Sequence, residues 1–346
     1  MAKERNIRVY RAWLNKEFIL NVKVELKVYS AFCYAHIEMG QAAVRETIEE
    51  LKDVTLKGVV PLNEKLGRGS YGNVFTVKYG GKVCAAKKIH SIFTDEDVSA
   101  TDRQAIKEEF IRECLCCSSI RHPNIVEFLG VYYDSSGDPA SLPIMVMELM
   151  HTSLKIFVEN NKSKIAFRKK ASILHDVSLG LSFLHNRKPP ILHRDLSPNN
   201  VMLTSDLMAK IGDLGVAKVV RADSWQTKNK LRLTKAVPGT QDFMPPEVMD
   251  VDSLYGTPID VFSFGGIALY VFSEEWPTPS GSKMRDPVTK KLRALTEAER
   301  RQQYLDKMTG KAAELRKVVE QSLDDDPDER PPIQEVSAFI EALKVT

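Results

Sequence analysis

The run Ile191-Leu192-His193-Arg194-Asp195-Leu196-Ser197-Pro198-Asn199-Asn200-Val201-Met202-Leu203 constrains this chain more than any other stretch. Ile191 and Leu192 on one side, and Val201, Met202 and Leu203 on the other, read as two short apolar strands that present His193, Arg194, Asp195 and Asn200 between them. A carboxylate, a carboxamide and a fixed cation are then confined to one short loop. Such a set can orient a hydroxyl and hold a divalent metal.

Composition narrows what can surround this loop. With 346 residues, 43% hydrophobic and 27% charged, the sequence belongs with ordinary globular chains, and at this length a single core tends to divide into two packed units. The net charge of +3 is small and its Lys and Arg are scattered, which gives no footprint for nucleic acid. No apolar run reaches the roughly 18 to 20 residues of a membrane helix, and Met1-Ala2-Lys3-Glu4-Arg5 opens no signal-peptide pattern. A cytoplasmic protein with no membrane span is expected. Cysteines 33, 84, 114, 116 and 117 lack the second distant pair of a zinc site, and Cys114-Leu115-Cys116-Cys117 reads as reduced thiols on a helix.

Residues 1 to 56 form an N-terminal extension. In it Phe18, Leu20, Val22, Val24, Leu26 and Val28 alternate with polar residues, a strand pattern, and Ala42 to Asp53 reads as a short amphipathic helix lying against the adjoining domain. Gly67, Gly69 and Gly72 then form G-x-G-x-x-G. Val74, Phe75, Val77 and Tyr79 lead into Gly80-Gly81, with Val83, Ala85 and Lys87 beyond it, so the glycines precede a strand, a tight turn and a second strand. A dinucleotide fold opens a helix at that point instead. Both a phosphate cradle and a plain hairpin fit this local pattern. Lys87, on an apolar strand, calls for an anionic partner, while alternation turns Lys88 to the opposite face.

Gln104 to Ile120 reads as a helix and Ile144 to Met147 as a buried strand ending in Glu148-Leu149-Met150. Apolar spacing predicts a helix over Ile173 to His185, stopped by Pro189-Pro190. Asp213, in Lys210-Ile211-Gly212-Asp213-Leu214-Gly215, is a hard oxygen ligand suited to magnesium. Val216 to Thr240 is polar and basic, with hydroxyls at Ser224, Thr227 and Thr234, and residues 274 to 312 read as a long surface excursion before helices at Ala312 to Leu323 and Ile333 to Leu343.

The Asp195 loop resembles the H-R-D-L-x-x-x-x-N catalytic loop of eukaryotic protein kinases, and the other motifs come in that family's order. Cys84-Ala85-Ala86-Lys87 is similar to V-A-I-K, Gly212-Asp213-Leu214-Gly215 contains a D-L-G version of D-F-G, and Gly239-Thr240 through Pro246-Glu247 resembles the end of an activation segment. The resemblance covers residues 57 to about 343 and implies an α+β, two-lobed protein-kinase fold. Its antiparallel lobe would span about 57 to 149 and its mostly helical lobe 150 to 346, with ATP between them.

The resemblance further implies catalytic roles for Asp195, Lys87, Glu113 and Asn200, with Glu113 steadying Lys87, and magnesium held by Asn200 and Asp213. Leu66, Gly67, Gly69, Gly72, Val74, Ala85, Lys87, Met147, Glu148, Met150 and Met202 would line the nucleotide site. Met147 would gate the pocket behind the adenine, and Glu148 and Met150 would offer backbone groups to its edge. Ser224, Thr227 and Thr234 are the phosphosite candidates, facing Arg194, and either an upstream kinase or autophosphorylation in trans would modify them. Glu247 would pair with Arg330, Asp260 would hold the catalytic-loop backbone, and His193 would pack the loop against Leu214. The activity implied is transfer of the ATP γ-phosphoryl group to Ser or Thr of protein substrates, closest to the tyrosine-kinase-like group. Ser197 stands where Ser/Thr kinases usually have lysine, which leaves dual specificity and an ATP-binding pseudokinase scaffold as alternatives.

Overall fold

In a computed structural model, the structure describes residues 51–68, 72–89, 110–111, 114–133, 143–214, 218–219, 231–232, 240–248, 254–275, 283–285, 292–294 and 297–345. The predicted strand at Phe18 to Val28, and the Ala42 to Asp53 helix up to its last turn, lie outside these residues. What is described of that last turn, Leu51–Val54, is a 3₁₀ turn whose Leu51 is buried.

The N-terminal lobe is a five-stranded antiparallel sheet of β1 (Val60–Arg68), β2 (Gly72–Tyr79), β3 (Lys82–Ile89), β4 (Phe128–Tyr132) and β5 (Ile144–Glu148), in the order β1-β2-β3-β5-β4. Gly80 and Gly81, at φ +55° and +80°, close the β2–β3 hairpin in a backbone conformation that side chains resist. Alternation sorts the sheet into two faces. Val77, Cys84, Ala86, Tyr132, Ile144 and Val146 form an apolar cluster on one, and Lys87, with its register partner Val74, lies on the other. Phe110, Ile111, Cys114 and Cys117, from helical residues 110–111 and 114–118, pack with Leu51, Phe128, Val131 and Met145.

The second lobe begins with β6 (Thr152–Ser153) and α1 (Leu154–Asn160), whose first turn is capped by the Ser153 hydroxyl accepting from Ile156 N. Helix α2 (Phe167–His185) runs through the core, followed by β7 (Ile191–Leu192), β8 (Val201–Leu203) and β9 (Ala209–Ile211). Short pieces β10 (Lys218–Val219), β11 (Leu231–Arg232) and β12 (Leu254–Tyr255) precede α3 (Pro258–Ser273), β13 (Lys283–Arg285), β14 (Leu292–Ala294), α4 (Glu297–Leu305), α5 (Ala312–Ser322) and α6 (Ile333–Val345). One apolar cluster joins these helices, with Leu174, Leu181, Phe264, Ile267, Leu315 and Val336 inside it. Each such side chain contributes about 1.5–3 kcal/mol by leaving water. Among the described residues no helix is long and apolar enough to cross a membrane.

The excursion expected over residues 274 to 312 is more structured than its composition suggests. It contains the antiparallel β13–β14 hairpin and α4, which anchors itself through buried Tyr304 and Leu305, with Met308 just beyond. Its other side chains are mostly charged or amide, so the apolar period that marks a helix is confined to the C-terminal end.

The two lobes meet along a backbone ladder. Ile211 N donates to Asn124 O (2.9 Å), Val126 N to Ile211 O (2.8 Å), and the buried Asn124 amide to Ala209 O (3.0 Å). A Cβ on Gly180 of α2 would stand 2.6 Å from Asn124 O, so the helix passes this junction only because that residue is glycine.

Candidate active site

The two apolar flanks of the Asp195 loop are strands, but they belong to different sheets. Strand β7 pairs with β10, whereas β8 sits between β6 and β9. The loop is therefore stretched between two anchors, and a third comes from α3. Asp260, completely buried, accepts from His193 N and Arg194 N, each at 2.9 Å, and from His185 Nε2 at 2.9 Å. Burial pushes its carboxyl up, but the His185 hydrogen bond and the neighbouring donors outweigh that and hold its pKa below the ordinary value. Arg194, at φ +67°, turns the chain here, and its Nη1 donates to the Tyr255 hydroxyl (3.5 Å).

His193 is wholly buried and spends both ring nitrogens on backbone. Nε2 donates to Gly212 O (3.0 Å) and Nδ1 accepts from Asp195 N (3.3 Å), so the ring ties the loop to the turn before Asp213 by hydrogen bonds. Leu214 packs in the cluster that holds Cys114 and Met145 together with Leu184 and with Ile191 at the start of the loop.

Two groups fix the Asp195 carboxylate. Asn200 Nδ2 donates to Oδ2 (2.9 Å) and to the Asp195 carbonyl (2.8 Å), while Thr240 donates to Oδ1 from its backbone N (2.8 Å) and its hydroxyl (2.9 Å). In the sequence Thr240 stands out only as part of a motif. Its contact with Asp195 lies 45 residues away and could be suspected only from a hydroxyl next to a glycine in a polar loop. Ser197 is fully buried and its Oγ has no hydrogen-bond partner among the described residues.

Across the cleft, Lys87 on β3 is 7% exposed and its Nζ lies 2.8 Å from Asp213 Oδ1. Asp213 sits at φ +53°, directly after β9 and Gly212. Glu113, Gly69, Ser224, Thr227 and Thr234 fall outside the described residues. Leu66 is exposed and Gly67 lies beside it on β1. Gly72 opens β2, and Val74, Met147, Met150 and Met202 are half-buried, with Ala85 buried. Met147 pairs with Ala85 and with Phe128 across the sheet. Glu148 N donates to Glu127 O (3.0 Å), which commits that N–H away from any adenine. Below the site, Glu247 and Arg330 form a bidentate pair at 2.6 and 2.9 Å, with Arg330 also donating to Asp324 O and Pro258 O.

The donor set suits a hard divalent cation. Asn200 directs its amide nitrogen to Asp195, which turns its carboxamide oxygen away from that residue, and the Asp213 carboxylate supplies the charged oxygen such an ion prefers.

Comparison with known proteins agrees with this architecture. Residues 61–339 match the protein kinase domain family. Serine/threonine-protein kinase CTR1 of Arabidopsis thaliana is 32% identical over 208 residues, covering 60% of this chain and 23% of that protein. Serine/threonine-protein kinase WNK of Caenorhabditis elegans is 34% identical over 222 residues, covering 62% and 11%. The probable L-type lectin-domain containing receptor kinase S.5 of Arabidopsis thaliana is 33% identical over 236 residues, covering 67% and 33%. The match thus spans no more than 33% of the length of these relatives. The chain belongs to the protein kinase domain family and has its two-lobed fold.

Proposed function

We propose that this chain transfers the γ-phosphoryl group of ATP to Ser or Thr hydroxyls of protein substrates. The observation that carries the proposal is the Asp195 carboxylate, held by Asn200 on one oxygen and by Thr240 on the other, within a loop that His193 and Asn200 bond to Gly212, next to the Lys87–Asp213 pair. Asp195 orients the acceptor hydroxyl and takes its proton. Lys87, steadied by Glu113, positions the nucleotide phosphates, and Val74, Ala85, Met147 and Met202 enclose the adenine with the Glu148 carbonyl and Met150 backbone at its edge. Magnesium, held by Asn200 and Asp213, supplies neutralisation of phosphate charge.

Thr240 supports the Ser/Thr reading, because its two hydrogen bonds join the activation-segment end to the catalytic carboxylate. Ser197 supports dual specificity as the alternative, since no lysine stands at that place. A phosphate on Ser224, Thr227 or Thr234, placed by an upstream kinase or in trans, would bring charge toward Arg194. The unbridged Cys84 thiol, buried on β3, supports a reducing, cytoplasmic location.

The test is a magnesium-dependent transfer assay from labelled ATP to a generic protein, followed by phosphoamino-acid analysis. Label is expected on Ser and Thr, with Lys87→Met and Asp213→Asn each reducing transfer to background in folded protein. Wild-type rates from Asp213→Asn refute the mechanism, and a wild-type chain that binds ATP without transfer establishes the scaffold reading.

A further inference from the structure

The end of β5 carries an ion pair that the transfer mechanism does not use. Lys210 Nζ reaches both oxygens of Glu148, at 2.6 and 2.8 Å, with the Lys210 side chain 12% and the Glu148 side chain 24% exposed. Glu148 Oε1 also accepts from Glu127 N at 2.7 Å. Three donor contacts from two segments thus converge on one carboxylate, and its own backbone N–H is bonded to Glu127 O.

The placement matters because each partner sits next to a part of the nucleotide site. Glu148 is the last residue of β5, where the sheet passes into the segment holding Met150. Lys210 lies in β9, which ends at Ile211 and delivers Gly212 and Asp213. Glu127 comes directly after the Asn124–Val126 segment that is laddered to Ile211. The pair therefore fixes the spacing between the adenine edge and the carboxylate that meets the phosphates, the two ends that one nucleotide has to span.

We propose that Lys210 is a positioning residue for ATP: through Glu148 it holds the adenine edge at a set distance from Asp213, so that the free protein already has the spacing the nucleotide requires. The proposal rests on the phosphotransferase reading above. A preorganised spacing favours binding, because no ordering is left for the ligand to impose. Removing the ammonium leaves the Glu148 carboxylate with Glu127 N and takes away the direct side-chain tie between β5 and β9, which are then joined only through the Asn124–Glu127 segment. Asp195, Asn200 and Thr240 are not members of this network, so the chemical step is spared.

The experiment compares full-length wild type with Lys210→Met, Lys210→Arg, Glu148→Gln and the Lys210→Met/Glu148→Gln double variant, reading KM for ATP, kcat and Tm without nucleotide. Lys210→Met is expected to raise KM three- to tenfold with kcat within twofold. Lys210→Arg, which can pair with the same carboxylate, should recover most of the affinity. The double variant should be no worse than the poorer single one, the signature of a shared contact. A KM within twofold of wild type, a parallel loss of KM, kcat and Tm, or no recovery by arginine overturns the proposal. Because wild-type transfer is measured alongside, inactivity of every protein, wild type included, counts against the phosphotransferase reading, whereas an active set with unchanged KM counts against Lys210 alone.

Discussion

Replacing Asp260 by asparagine tests the anchoring of the catalytic loop. The carboxylate accepts three hydrogen bonds, from His193 N and Arg194 N of the loop and from His185 Nε2 of α2, in a site with no solvent access. Asparagine keeps the shape but has one acceptor oxygen, and its amide nitrogen then faces a donor. If its oxygen keeps the His193 and His185 bonds, Arg194 N loses its acceptor; if the amide turns the other way, both of those donors lose theirs. A buried donor left without a partner costs about 1–3 kcal/mol, so Asp260→Asn should destabilise by about 2–5 kcal/mol. For a unit of this size that is a fall in Tm on the order of 5–15 °C. Whichever loop N–H is freed, Arg194 N or His193 N, lies within two residues of Asp195, so kcat should fall at least tenfold while KM for ATP changes little. The pH dependence carries a second signature. The native carboxyl is held below its ordinary value, so its contribution is present above the unfolded-state pKa of about 3.9 and is lost as pH falls through the lower native value. The stability gap between wild type and variant should thus be constant from pH 8 to 5 and shrink only in strong acid. Thermal melts across pH with steady-state kinetics at neutral pH decide the matter. A variant that melts within 2 °C of wild type and keeps its kcat refutes the anchoring argument.

Ser197→Ala removes a buried hydroxyl that has no partner among the described residues, so Tm should hold or rise by a few degrees and kcat stay within twofold; a clear loss of stability contradicts this. Thr240→Val deletes the hydroxyl bond to Asp195 but keeps the backbone one, and kcat should drop about tenfold, with Thr240→Ser near wild type in the same assay. Glu247→Ala strands the wholly buried Arg330 guanidinium, at a cost of about 3–5 kcal/mol, read as a lowered urea midpoint. Gly180→Ala drives a methyl to 2.6 Å from Asn124 O and should lower Tm more than alanine's helix propensity can return.

The parts of the site legible in the sequence are those written in short local runs. Lys87 stands out as a cation on an apolar strand, and Asp195 with Asn200 as polar atoms between two apolar flanks. Each can be read because its immediate neighbours fix its face or its loop. The parts that escape such reading depend on partners far along the chain. Lys210 and Glu148 are 62 residues apart, and each alone looks like an ordinary surface charge. Thr240 carries no sign of its contact with Asp195. The burial of Ser197 comes from how β7 and β8 are drawn into separate sheets, which strand propensity cannot express. Helix α4 is hidden for a different reason. Of its residues with described side chains only Tyr304 and Leu305 are buried, too few to set up a period against so many charged neighbours.

The Glu247–Arg330 pair has a consequence for how the molecule is made. The two residues lie 83 positions apart, so on the ribosome the carboxylate emerges roughly 4 to 17 seconds before its guanidinium, at the usual elongation rates. During that interval the segment leading from Thr240 to Glu247 lacks its buttress, although the whole N-terminal sheet and the Asp195 loop are already synthesised. The nascent chain therefore passes through a stage in which the nucleotide-facing half can assemble while the ledge beneath it waits for α5 and the turn that carries Arg330.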